Sequence, residues 1–411
     1  MENSEELALR IALKKDKEAA KEVFARASYQ GIRLASTQKL YEAKIRKEWS
    51  GFTVPAFNIR TLCFDTARAA FRQAIKNEVG PFIFELARSE SEYAFQDVAD
   101  YVPLVLAAAV EEKYKGNVFF QLDHCQAKVE KFSDPLKREE ETESLKNILK
   151  DAIKNGVYNV DIDASTLARP DEKDAVLRQK GNFELTALLT SWVRSLEPEE
   201  AVISIGGEVG EIGKENTRPE DVRAFIKGYR EELSRYGDLK GLIKLAVQTG
   251  AIHGGKISDS GKIARLNIDF ELLKDLSFEA EKQGLAGVVQ HGASTLPEEY
   301  FGKFPESGTL EIHLATAFQN IVLDSDHFPE DLSGKMNDWL QKNAVRKEGQ
   351  AEDQFVYENR KKALGPFKGE ILKIPREKRT RIAEELEEKF GFLFRELKVT
   401  GTRETVNKIY Q

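Results

Sequence analysis

Asn117-Val118-Phe119-Phe120-Gln121-Leu122-Asp123-His124-Cys125-Gln126 is the stretch on which the reading of the fold turns. Its apolar half, bounded by Lys115-Gly116, predicts a short buried strand. An acid and an imidazole stand side by side at the end of it. Consecutive strand residues point to opposite faces, so both can serve one site only where the strand gives way to a loop. An Asp-His pair alone is usually a plain hydrogen-bonded pair. Its weight comes from where the other histidines fall.

Outward from this strand, short apolar runs alternate with longer amphipathic segments. The runs are Val54–Asn58, Phe82–Leu86, Val118–Asp123, Val157–Asp163, Val202–Gly206, Ile243–Val247, Gly287–Gln290 and Leu310–Leu314. Between them, helical spacing covers Asp65–Lys76, Gln96–Lys113, Glu143–Asn155, Asp171–Leu196, Pro219–Tyr236 and Phe270–Gln283. Pro103 predicts a kink or a late start in the second of these. Arg218-Pro219-Glu220-Asp221 predicts a sharp helix start, with Pro in the first turn and acids at the positive end of the dipole. The connection Pro297–Phe304 is short and aromatic, and a further helix-like run covers Thr316–Leu323.

Eight strands alternating with helices predict an α/β fold, a (β/α)8 TIM barrel, over residues 51–330. An open doubly wound sheet is the other arrangement, but no Gly-x-Gly-x-x-Gly turn follows the first strand to support a nucleotide fold. Residues 1–50 are charged and helical in period and read as an N-terminal helical extension. Residues 331–411 read as a C-terminal one, with Glu377–Phe390 an exposed amphipathic helix that Gly391 stops.

The 411 residues contain 62 Lys+Arg against 69 Asp+Glu, a net charge of −7. That balance argues against a general nucleic-acid partner, because phosphate neutralisation needs a basic face. No run is long and apolar enough to span a membrane. The N-terminus lacks the basic-then-apolar pattern of a secretory signal, and Cys63 and Cys125 cannot build a disulfide framework. A cytoplasmic location is expected.

There are five histidines. His124 ends the third strand, His253 follows the sixth in Gly250-Ala251-Ile252-His253-Gly254-Gly255-Lys256, and His291 ends the seventh in Val289-Gln290-His291-Gly292-Ala293-Ser294. In a barrel these strand ends converge on one rim, so three imidazoles can meet around one ion. Three neutral histidines with an open fourth position form a catalytic zinc set. His253 and His291 are each followed by glycine, with Ser294 close by. Backbone N–H groups and a hydroxyl near Cβ-free positions suit a phosphate, though tight turns leaving barrel strands explain the glycines equally well. Glu208 closes the fifth strand and can bind metal or move a proton. The glycines around Glu211 and Glu215 suggest a mobile loop.

These residues resemble those of class II, zinc-dependent ketose-bisphosphate aldolases, from about Phe52 to Gln319. Val54-Pro55-Ala56-Phe57-Asn58 resembles that family's opening strand and Leu122-Asp123-His124 its Leu-Asp-His signature. Asp161-Ile162-Asp163-Ala164-Ser165, Glu208-Val209-Gly210, His253-Gly254 and His291-Gly292-Ala293-Ser294 follow in the family's order. The resemblance implies one catalytic zinc per chain on His124, His253 and His291, with a monovalent cation as a second candidate ion. It implies Asp123 as acid/base, and Glu208 or Glu215 as further catalytic acids. Asn58, Gly254, Lys256, Gly292, Ser294, His313 and Thr316 are the candidate substrate and phosphate contacts. It also implies a small-molecule sugar phosphate as partner and a homodimer or larger homo-oligomer.

Strand eight departs from the family pattern Lys-Ile-Asn-Ile-Asp-Thr-Asp. Here it reads Glu311-Ile312-His313-Leu314-Ala315-Thr316-Ala317, so both acids are Ala and the Asn is His313. Ala87 stands where a phosphate-site Ser is usual, Asn216 replaces a second loop acid, and Lys256 comes one residue early. The expected function is retro-aldol cleavage of a phosphorylated ketose. A zinc-dependent ketose or keto-uronate epimerase is the alternative, and a non-catalytic sugar-phosphate binder is disfavoured by Asp123 beside three ligands.

Overall fold

Every apolar run named above forms a strand in the computed structural model, which describes residues 2–210, 215–250 and 268–411. In chain order the strands are β1 (Ile32–Ala35), β2 (Val54–Asn58), β3 (Ile83–Ala87), β4 (Gly116–Gln126) and β5 (Asn159–Asp163). They continue with β6 (Ser204–Val209), β7 (Lys244–Val247), β8 (Val288–Gln290) and β9 (Glu311–Leu314). Strands β2 to β9 pair in sequence order, all parallel. The β2–β9 pairing closes them into an eight-stranded TIM barrel. Strands β2, β3, β5, β6, β7, β8 and β9 are buried along their whole length, because helices cover the outside and side chains fill the inside.

Helix starts follow their caps. Asp97, Asp134, Asp174 and Asp269 each accept backbone N–H groups at the start of helices Val98–Glu111, Pro135–Lys154, Ala175–Ser195 and Phe270–Lys282. The helix at Pro219 runs to Leu233. Pro103 lies inside its helix, which starts at Val98 and not after the proline. The helix expected from Glu143 begins at Pro135.

The N-terminal segment is helical over Ser4–Lys14, Lys17–Gln30 and Gln38–Ile45, but it also contributes β1, which pairs with the start of β4. Helix Gln38–Ile45 sits under the barrel. The fully buried Tyr41 donates to Glu311, and Thr37 bonds Asn159 and Ser204 at the first residues of β5 and β6. The C-terminal helix runs from Arg376 to Glu396, through Gly391. It is not an exposed helix: Phe390 and Phe394 are buried against Phe57, and the helix packs on Cys63–Lys76. Gly391 serves close approach here, since a Cβ would lie 3.0 Å from Gln73 Oε1.

Candidate metal and catalytic site

Strand β4 does not give way to a loop at Asp123-His124; it continues to Gln126. Its register against β5 shifts between Leu122 and Cys125, and His124 adopts a left-handed backbone with φ 41°. That conformation costs a non-glycine residue about 1–3 kcal/mol and is typical of functional positions. The bulge breaks the two-residue alternation, so adjacent side chains reach one site. His124 Nε2 and His291 Nε2 both lie 3.9 Å from Asp123 Oδ1.

His291 leaves the end of β8, and its ring centroid is 4.2 Å from that of His124. Glu208, near the end of β6, places one oxygen 3.1 Å from His124 Nδ1 and the other 3.8 Å from His291 Nδ1. His124, Glu208 and His291 offer ligand atoms within 4.8 Å of one another. Asp163 also faces His124 Nδ1 at 3.1 Å and is itself held by Gln126, so it can orient the ring. Among the described residues, neither ring nitrogen of His291 has a hydrogen-bond partner, although both are buried. A buried imidazole nitrogen with no partner is what an ion-binding site leaves when side chains alone are considered, and an ion would take one of the two. Burial, with the neighbouring His124 and His313, holds His291 well below the ordinary imidazole value. Its lone pair is therefore free. Burial works against a charge on His124 too, but Asp123 and Glu208 raise it well above that value. The donor set fits a divalent ion, because the carboxylates that draw a proton to His124 would equally draw a cation that displaces it. His253 lies outside the described residues, as do Gly254, Lys256 and Glu211.

Asp123 is clamped through both oxygens. Oδ1 lies 3.1 Å from His313 Nδ1, and Oδ2 accepts from Asn58 Nδ2 at 3.1 Å. Asn58 also donates to Glu90, which pairs with Arg60 at 2.6 Å. Burial alone would raise the Asp123 carboxyl, yet His124 and His313 hold it well below the carboxylate range. An ionised carboxylate beside the imidazoles is the state a general base requires.

Below the site the barrel interior is ionic. Lys244 of β7 has no exposed surface and donates to Gln121 Oε1 at 2.7 Å and Glu311 Oε1 at 2.5 Å. It also lies 3.0 Å from Asp161 Oδ1. Gly206 leaves room for this cluster, because a Cβ there would lie 2.2 Å from Asp161 Oδ1. Burial opposes the Lys244 charge, but Asp161 and Glu311 raise its pKa. The same ammonium and His313 hold Glu311 below the carboxylate range against burial, whereas burial pushes Asp161 up to about 6.

A cavity of about 570 Å³ opens over the imidazoles, lined by Asn58, Gly292, Ser294, His313 and Thr316 among the expected substrate contacts. Glu215 does not join them; it is exposed and pairs with Arg218 at 3.1 Å. Sequence reading missed Arg60, Glu90 and Lys361, which line the same cavity. Arg60 also donates to Thr316 and Gln319. Lys361 has no anionic partner among the described residues, and burial followed by the Arg60 charge lowers its pKa. The inner cluster was missed as well. Its signal was a charged residue inside each of three apolar strands: Glu85, Lys244 and Glu311.

Fold and site together define a TIM barrel with a buried imidazole–carboxylate cluster at the carboxyl ends of its strands, where such barrels carry their chemistry. The family model for fructose-bisphosphate aldolase class-II matches residues 38–368, and the chain belongs to that family. Members use a divalent metal, and the buried histidine and acid groups could bind it. Among solved structures the chain is similar to a probable tagatose 6-phosphate kinase from Sinorhizobium meliloti. The TM-score is 0.56 at 14% identity, over 87% of this chain and 93% of that one. It is also similar to the fructose-bisphosphate aldolase of Campylobacter jejuni, with TM-score 0.54 and 15% identity over 90% and 96% of the two chains. At these identities the likeness is one of fold alone. No curated protein matches the sequence. No helix among the described residues is long and apolar enough to cross a membrane.

Proposed function

We propose that this chain catalyses reversible cleavage of a carbon–carbon bond in a phosphorylated ketose. The observation that carries the reading is Asp123, clamped by Asn58 and His313 and 3.9 Å from two imidazoles, of which His291 has no hydrogen-bond partner among the described residues. In the proposed step Asp123 takes the proton of the hydroxyl on the carbon that becomes the aldehyde. As that C–O bond becomes a carbonyl, the adjoining C–C bond breaks and its electron pair moves toward the ketone. Zinc held by His124 and His291, with His253 as the third ligand, would supply the Lewis acidity that polarises this ketone. Glu208 and Asp163 orient the His124 imidazole through its Nδ1. Gly292 and Ser294 hold one phosphate by N–H and hydroxyl groups, and Arg60, which donates to Thr316, favours with Lys361 a second anionic group in the same cavity.

The test is a substrate panel with zinc-reconstituted protein: fructose 1,6-bisphosphate, its tagatose epimer, ketose 1-phosphates and keto-uronates, compared by kcat/KM. Cleavage of a phosphorylated ketose is expected. Preference for a neutral sugar would overturn the anion argument, and interconversion of keto-uronates without cleavage would make the chain an epimerase.

A further inference from the structure

Glu311 and His313, two residues apart on β9, both point into the barrel. There the His313 ring lies against His291, with centroids 4.3 Å apart. His313 Nδ1 is 3.1 Å from Asp123 Oδ1 and 3.3 Å from Glu85 Oε2, while Nε2 is 2.7 Å from Glu311 Oε1. Gln121 Nε2 also lies 3.2 Å from Nε2, but its two hydrogens are directed to Glu85 and Glu311. Nδ1 therefore faces Asp123 and Nε2 faces Glu311, and an ionised carboxylate only accepts, so each takes one ring N–H. The residue is 4% exposed, so no N–H remains to meet a substrate anion across the cavity. Behind it, Glu311 is fixed by Lys244 and Tyr41.

We infer that His313 is a positioning residue for Asp123, anchored by Glu311 and Lys244 to the barrel interior, and not a substrate-anion ligand. The inference rests on the proposed role of Asp123 as base. A base must be held within about 0.5 Å of its productive place, and a displacement of about 1 Å can cost 10²-fold in rate. Asn58 secures one oxygen of Asp123 from the side, and His313 secures the other from below.

His313→Asn and His313→Gln discriminate the roles. The Asn amide nitrogen falls near Nδ1 and can still donate to Asp123; the Gln amide nitrogen falls near Nε2 and reaches only Glu311. On the best ketose of the panel, Gln should lower kcat by roughly 10²-fold, with KM within threefold and metal content unchanged. Asn should recover at least fivefold of that loss. In an Asp123→Asn background, exchanging Asn for Gln at 313 should change nothing further. Equal kcat for the two variants, or a raised KM at unchanged kcat, would overturn the inference while leaving wild-type cleavage intact. A wild type that cleaves no ketose would overturn the proposed function instead. The inference then meets a readout without turnover: in imidazole-¹⁵N-labelled protein the His313 Nδ1–H resonance should move on Asp123→Asn. An unmoved resonance would refute it.

Discussion

Lys244→Met removes the one ammonium among the described residues that faces the carboxylates inside the barrel. Its Nζ lies 2.5 Å from Glu311 and 3.0 Å from Asp161, with no exposed surface to screen either pair. At an effective dielectric of about 20, each pair represents roughly 5–7 kcal/mol of gross attraction. The lysine's own desolvation is recovered on substitution, and a carboxyl can answer by taking a proton. The net loss is therefore expected at about 3–5 kcal/mol, the range for breaking a buried pair from one side. The sign of its pH dependence follows from the two acids. Glu311, held below its ordinary range, contributes stability above the unfolded value of about 4.3, and that is lost as pH falls. Asp161, raised to about 6, does the opposite: its folded state prefers the proton, so stability falls as pH rises from about 4 toward 6. Without Lys244 both acids shift upward, and the variant's deficit should be smaller at pH 5 than at pH 7.5. Urea denaturation at the two pH values measures this. Lys244→Met/Glu311→Gln should recover at least 1 kcal/mol, because contacting residues couple by about 0.5–3 kcal/mol. A single-variant loss below about 1 kcal/mol at both pH values, or no recovery in the double variant, would refute the account of the barrel interior.

Three further outcomes are expected. His291→Ala should lose zinc as measured by metal analysis, and full zinc in that variant and in His124→Ala would reject the ligand assignment. Asp123→Asn should keep fold and metal but lose turnover by about 10²–10⁴-fold; near-normal turnover would move the proton transfer elsewhere. Lys361→Met should raise KM for a phosphorylated ketose by roughly tenfold or more, the loss of one charge-assisted hydrogen bond, with kcat less affected; an unchanged KM would remove Lys361 from the substrate.

Much of this architecture was legible because barrel strands buried on both faces stand out as apolar runs. Val54–Asn58 matches its strand residue for residue, and the other runs differ only at their ends. Strand β1 was not legible, since four residues interrupted by the exposed Arg33 carry no periodic signal. The first two turns of Pro135–Lys154 bury only Glu141 and leave Leu136 exposed, so apolar spacing missed them even though Asp134-Pro135 marks the start. Gly391 looked like a helix stop because a glycine needed for packing cannot be told from a C-cap without knowing that Gln73 lies against it. At the site, the convergence of His124, Glu208 and His291 followed from strand order. The bulge that turns Asp123 and His124 to one side did not, because a register shift belongs to a pair of strands. His313 looked like a free donor for the same reason: the acids that occupy it come from β3, β4 and its own strand.

The measurement closest to the central claim is product analysis by mass on zinc-loaded protein given fructose 1,6-bisphosphate labelled with ¹³C at one end, with the aldehyde trapped as it forms. The account predicts two triose fragments, one labelled and one not, absent in Asp123→Asn protein that retains its zinc. Only intact six-carbon sugar, unchanged or isomerised, would contradict it.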